Sequence, residues 1–236
     1  MNRNKIRVLA FYLPQFHPIP ENDKWYGKGF TEWTNVGKAK PLFRGHYQLR
    51  VPADLGYYDL RVPETRQAQA DMAREYGVEA FCYWHYWFGN GRRLLERPFN
   101  EVLESGKPDF PFCLAWANHS WRGIYNGVKT KESLIDQTYG GLSDYERHFY
   151  DVLPAFEDKR YVTVDGKPFF LIFAPAEIPD SREFIDCWQR LAARNGLTGI
   201  HFVAHTYQPN DIDNFLSSAA SDVYKRQAFG VSTKMR

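Results

Sequence analysis

Four short strings in this chain set aromatic rings beside polar groups at close spacing. The first is Trp25-Tyr26-Gly27-Lys28-Gly29-Phe30-Thr31-Glu32-Trp33-Thr34-Asn35-Val36, and the second is Tyr83-Trp84-His85-Tyr86-Trp87-Phe88. The third is Trp116-Ala117-Asn118-His119-Ser120-Trp121, and the fourth is His205-Thr206-Tyr207. Trp and Tyr join a flat apolar face to a polar handle, which suits a surface where a ring must stack and stay wet. Sugar rings need such a surface, and Glu32, Asn118 and the imidazoles of His85, His119 and His205 can grip hydroxyls. The competing reading of the first string is a loop that packs its own aromatics. Glycoside chemistry needs two carboxyl groups flanking the bond. Glu32 and Glu177 are the acids expected near such a site, and neither lies in a motif that marks it as catalytic. No Ser-His-Asp, Cys-His or metal-ligand spacing stands out.

The elements that must position these strings alternate. Ile6 to Leu13 reads as a buried strand, followed by an irregular stretch from Gln15 to Tyr58, long enough to imply a function of its own. Helices are expected over Pro63–Tyr76, Pro98–Glu104, Ser143–Leu153 and Ser181–Arg194. Pro63 and Pro98 open theirs, and Ser143 with Glu146 forms a capping box for the third. Further strands are expected over Val78–Phe88, Phe112–Ala117, Pro168–Ala174 and Ile200–Ala204, with a short one at Tyr161–Val164 before the Asp165-Gly166 turn. Strands apolar on both faces and alternating with helices indicate a parallel sheet covered by helices.

Polar and aromatic residues gather at the C-terminal ends of these strands: Gln15 and His17, His85 and Trp87, Asn118 and His119, Glu177, and His205 and Tyr207. That placement favours an α/β (β/α)8 barrel of the TIM type over an open doubly wound sheet. Strand alternation puts Tyr83, His85 and Trp87 on one face of the second strand, and that face is expected at the barrel mouth. Five strands cannot close eight, so the expectation is a barrel truncated after about five βα units. Residues 1–216 form one domain on this reading, and residues 217–236 form a non-native or disordered tail.

Composition narrows the function. With 30 basic and 28 acidic residues the net charge is +2, and no basic run interleaved with aromatics marks a nucleic-acid surface. Aromatic residues make up 17% of the chain, more than a core alone calls for. The three cysteines, Cys82, Cys113 and Cys187, sit far apart in apolar segments, so free thiols are expected rather than disulfides or zinc. No secretory leader and no membrane-spanning run is present, so a cytoplasmic protein is expected. A G-x-G-x-x-G after the first strand and a P-loop are both absent. Asp211-Ile212-Asp213 matches an Asp-x-Asp metal motif weakly.

In order, Leu9-Ala10-Phe11-Tyr12-Leu13-Pro14-Gln15-Phe16-His17, Gly29-Phe30-Thr31-Glu32-Trp33 and Trp116-Ala117-Asn118 resemble the WbsX family of surface-polysaccharide glycosyltransferases. That family is similar in turn to glycoside hydrolase family 99. The resemblance spans about Arg7 to Asp213. It implies a (β/α)8 barrel, a glycan or oligosaccharide substrate, no redox cofactor, and substrate-binding roles for Gln15, Glu32, Trp33, Trp116 and Asn118. Family 99 enzymes are retaining endo-acting α-mannosidases whose two glutamates lie in a late Trp-Asn-Glu-Trp type motif. That string does not occur in this sequence, so no catalytic residue is carried over. Three readings remain: a hydrolase-like enzyme, a transferase of polysaccharide assembly, and a non-catalytic carbohydrate-binding barrel.

Overall fold

The computed structural model describes residues 6–48, 51–123 and 133–206, together with the backbone of 222–225. Strand β1 (Leu9–Tyr12) is followed by helices α1 (Pro20–Tyr26), α2 (Glu32–Lys38) and α3 (Pro63–Glu75). Next come β2 (Ala80–Trp87), β3 (Arg93–Leu94), α4 (Arg97–Ser105), β4 (Phe112–Trp116) and a small hairpin of β5 (Trp121–Arg122) and β6 (Ser133–Ile135). Helix α5 (Leu142–Phe156), β7 (Thr163–Val164), β8 (Lys167–Ile172), α6 (Ser181–Arg194), β9 (His201–Thr206) and β10 (Asp222–Lys225) complete the order. The main sheet runs β1-β2-β4-β8-β9-β10 with every pair parallel. Each crossover between neighbouring strands from β1 to β9 carries at least one helix, so the fold is α/β with a mostly parallel sheet.

The register fixes which side chains face the helices. Tyr12 lies beside Tyr83, Tyr83 beside Leu114, Leu114 beside Phe170, and Phe170 beside Phe202. This row is buried and packs outward, with Tyr12 Oη donating to Gln69 of α3 at 2.6 Å and Tyr83 5.3 Å from Phe99 of α4. Trp188 of α6 sits against Phe170 and Phe184 at 4.7 and 4.8 Å and donates its indole N–H to the Tyr145 carbonyl of α5. The alternate row, with Phe11, Trp84, Leu171 and Val203, faces the concave side of the sheet.

Several expected boundaries shift for local reasons. The stretch expected to be irregular between residues 15 and 58 contains α1 and α2. Pro20 opens α1, and Thr31 caps α2 by accepting from Trp33 N–H, while the Thr34 hydroxyl accepts from Thr31 N–H. Helix α5 begins at Leu142 after Gly141 with no side-chain cap, so the capping box expected from Ser143 does not form. Asp144 in that first turn instead reaches out to accept from the Asn90 backbone N–H at 2.7 Å. The helix also runs past Pro154, because that proline falls in the last turn, where Glu157 N–H still closes on the Leu153 carbonyl. Around Asp165-Gly166 the expected tight turn forms, with both residues at positive φ, joining β7 to β8. Residues 222–225, expected in a patternless tail, pair in parallel with β9. The remainder of residues 207–236, including Tyr207 and Asp211-Ile212-Asp213, lies outside the described residues.

Candidate functional site at the strand ends

Beyond the C-terminal ends of β1, β2 and β4 lies a cavity of about 230 Å³, below the roughly 300–1,000 Å³ usual for small-molecule pockets. Gln15, Tyr26, Glu32, Tyr86, His119 and Arg122 supply polar and ionisable lining, with Leu13, Ser120 and Trp121 completing the wall. The segment after β1 and the start of α2 are tied together there, since the Glu32 backbone N–H donates to the Gln15 carbonyl at 3.2 Å. The Glu32 carboxyl itself has no hydrogen bond or ion pair to any described residue. Its burial pushes the carboxyl pKa above the usual value. His119 is held below the usual imidazole value by burial and is therefore a neutral hydrogen-bonding group at pH 7. Burial, followed by the nearby charge of Glu32, raises the Tyr86 phenol. A carboxyl with no described partner, a neutral imidazole and phenol hydroxyls around a small space can bind a polyol through its hydroxyls.

Below this cavity the concave face carries a continuous set of rings. Phe11 stacks flat on Trp84 at 4.7 Å and 5°, and Trp84 meets Phe173 edge-on at 5.5 Å. Phe173 lies 5.0 Å from both His119 and His205. Phe11 is 49% exposed although its β1 neighbour Tyr12 is buried, and it also lines an apolar groove along the edge of β1.

The structure separates the residues nominated from sequence into two groups. Gln15, Glu32 and His119 line the cavity, and His205 joins the ring set on its concave side. Trp33 does not line it: its indole donates to the Tyr58 carbonyl at 2.8 Å, and the ring packs on Phe16 and Tyr58. Asn118 is fully buried and its amide is used up. It donates to Tyr139 Oη and the Ala174 carbonyl and accepts from the Ala174 N–H, clamping the ends of β4 and β8 together.

His85 and Trp116 face away from the mouth, which corrects the face expected for His85. They are register partners in the outward row. His85 shares a 2.9 Å Nε2–Nε2 hydrogen bond with His148 of α5, and Trp116 donates to the Trp87 carbonyl and packs on Phe184 of α6. An imidazole is tolerated beneath a helix here because a second imidazole, 63 residues away, pairs with it. The inward face carries Trp84 and Tyr86, so Tyr86 and Arg122 are the lining residues the sequence reading missed, while Tyr26 and Trp121 stood in its first and third strings. The parity of β2 was the available signal for Tyr86: Tyr83 two residues before His85 had to meet α4.

Burial is the main cause that depresses both His85 and His148 far below the ordinary 6.5, with Arg93 adding to the effect. The folded chain thus refuses protons that the unfolded chain accepts, and stability is lost as pH falls below about 6.5. Replacing His148 with phenylalanine should flatten the acid limb of a urea-melt series between pH 7 and 5. An unchanged limb would show that other groups set it.

Among the described residues, no group of three or more His, Cys, Asp or Glu could hold a metal, and no helix is long and apolar enough to cross a membrane. Cys82, Cys113 and Cys187 are buried and unbridged.

Comparison with known proteins agrees with this architecture. Two solved structures of the GH99 endo-alpha-mannosidase from Bacteroides thetaiotaomicron superpose with TM-scores of 0.59 and 0.58 at 14% and 15% identity. Each covers 94% of this chain, and the chain covers 59% and 61% of theirs. A glycoside hydrolase-like protein superposes at 0.56 with 14% identity over 93% of this chain and 58% of its own. The uncharacterized protein WxcX of Xanthomonas campestris pv. campestris strain B100 is 43% identical over 194 residues. That alignment takes in 82% of this chain but only 28% of the relative's length. The family model described as Glycosyltransferase WbsX matches residues 8–234, and this chain belongs to that family.

Proposed function

We propose that the chain is the leading part of a (β/α)8 barrel that binds a glycan across its mouth and acts on a glycosidic bond. The cavity carries this reading: a half-buried carboxyl at Glu32, with no described partner, stands among hydrogen-bonding side chains at the strand ends, and the Phe11–Trp84 stack lies on the same face of the sheet as the cavity-lining Tyr86. Gln15, Glu32, Tyr86 and His119 contact hydroxyls, the concave rings take the sugar face, and His205 supports Phe173. Residues 1–216 form one domain, and the family match through 234 together with β10 argues for adding 222–225 to it. An apolar groove of about 470 Å³ beside the edge of β1 that no described strand pairs, lined by Phe11, Leu60, Met72 and Phe81 among others, is where a later strand and helix would close the barrel. A cytoplasmic setting suits three unbridged thiols. No catalytic residue is assigned within this chain.

The test is product analysis of the full-length protein on α-linked manno-oligosaccharides, with and without sugar-nucleotide donors. Shortened products support bond cleavage, the reading favoured by the solved structures named as endo-alpha-mannosidases. Elongated products support transfer, which the family's description favours. Binding without either product would leave a carbohydrate-binding barrel. No binding to any glycan would defeat the proposal.

A further inference from the structure

The segment between α2 and α3 has a composition unlike the rest of the chain. Residues 33–53 contain no Asp or Glu, although the chain averages about one acid in every eight residues, and they contain Lys38, Lys40, Arg44 and Arg50. Lys38, Lys40 and Arg44 are exposed, and no described acid pairs with them. Between and beyond these cations, large apolar side chains stand in water: Leu42 is 84% exposed, Tyr47 77%, and Phe43 and Val51 67% each. A single exposed apolar residue is ordinary, but four within ten positions of sequence call for a partner.

The tip of this segment is built, not merely extended. His46 N–H donates to the Phe43 carbonyl at 3.0 Å, and Gly45 takes the positive φ of 83° that closes the turn. The His46 ring then accepts from the Leu42 N–H through Nδ1 at 3.1 Å and stacks flat on Phe43 at 4.5 Å. These bonds fix a turn whose outermost side chains are Leu42 and Phe43, with Arg44 between them and His46.

We propose that this turn is a peripheral membrane contact that docks on an anionic bilayer surface. Leu42 and Phe43 enter the boundary between headgroups and acyl chains, while Lys38, Lys40 and Arg44 meet anionic headgroups. The charge pattern selects this partner. An acidic protein would match the cations but leave two aliphatic side chains, Leu42 and Val51, without a pocket. Nucleic acid would stack on Phe43 and Tyr47 but gains nothing from those aliphatics. Because α2 begins at Glu32 in the cavity wall, the contact would hold the mouth close to the bilayer surface.

The test is co-sedimentation of the full-length protein with vesicles of phosphatidylcholine alone and of phosphatidylcholine mixed with phosphatidylglycerol. Binding is expected to the mixed vesicles, to weaken as salt is raised, and to be slight on phosphatidylcholine alone. Lys38→Gln with Lys40→Gln should weaken it by roughly fivefold for each charge removed. Leu42→Ser with Phe43→Ser should abolish sedimentation with an unchanged thermal melt, because neither side chain is buried. Absence of binding to the anionic vesicles, binding that survives both double variants, or equal binding to both vesicle types would overturn the proposal. So would loss of RNA binding in these variants without any vesicle binding, which would identify a nucleic-acid surface instead.

Discussion

Replacing Glu32 with glutamine in the full-length protein should weaken glycan binding by about 10- to 100-fold, the worth of one hydrogen bond to a charged acceptor. The carboxyl lines the cavity, and no described residue pairs with it. The fold should tolerate the change: Glu32 is the first residue of α2, where a negative charge contributes about 0.3–1 kcal/mol through the helix dipole. Relief of its desolvation offsets part of that loss. A pH series separates a ligand contact from a structural role. Burial raises the Glu32 pKa above the ordinary 4.5, so carboxylate-dependent binding should fall as pH is lowered through a midpoint above that value. The glutamine variant should lack this limb. Equal titration of binding by both isothermal calorimetry series would show that Glu32 does not touch the ligand.

Trp116→Ala should cost about 3–5 kcal/mol and unfold much of the protein at 37 °C, whereas Trp84→Ala should cost less stability and more glycan affinity. The two tryptophans lie on adjacent strands but on opposite faces of the sheet. Trp116 is 1% exposed, packs between α5 and α6, and loses a hydrogen bond to the Trp87 carbonyl when truncated. Trp84 is only partly buried and stacks on the half-exposed Phe11 of the concave face. Urea melts and glycan titrations of both variants decide the matter. A larger loss of affinity than of stability for Trp116→Ala, or the reverse for Trp84→Ala, would contradict the assigned faces.

The parallel α/β order was readable because apolar runs such as Phe112 to Trp116 alternate with helices that carry their own start signals. Pro63 opens α3, and the α6 segment from Ser181 to Arg194 is amphipathic and capped by Asp180. The face of β2 was not readable in the same way. His85 is polar by type, while its true environment depends on His148, and no local pattern announces a partner 63 residues later on the second helix after its strand. Asn118 shows a related limit. A polar residue at a strand end is a candidate ligand from sequence, yet here its amide is consumed by Tyr139 and the Ala174 backbone. The helices missed before Tyr58 are seven residues each, too short for periodicity, though Pro20 and the Thr31–Thr34 pair carried the information.

The most direct test of the central claim is a crystal structure of the full-length protein with a bound oligosaccharide. The expected result is a sugar ring over Phe11 and Trp84, with hydroxyls within hydrogen-bond distance of Glu32 and His119. A glycan bound with full occupancy elsewhere, leaving the Glu32 cavity to water alone, would contradict it.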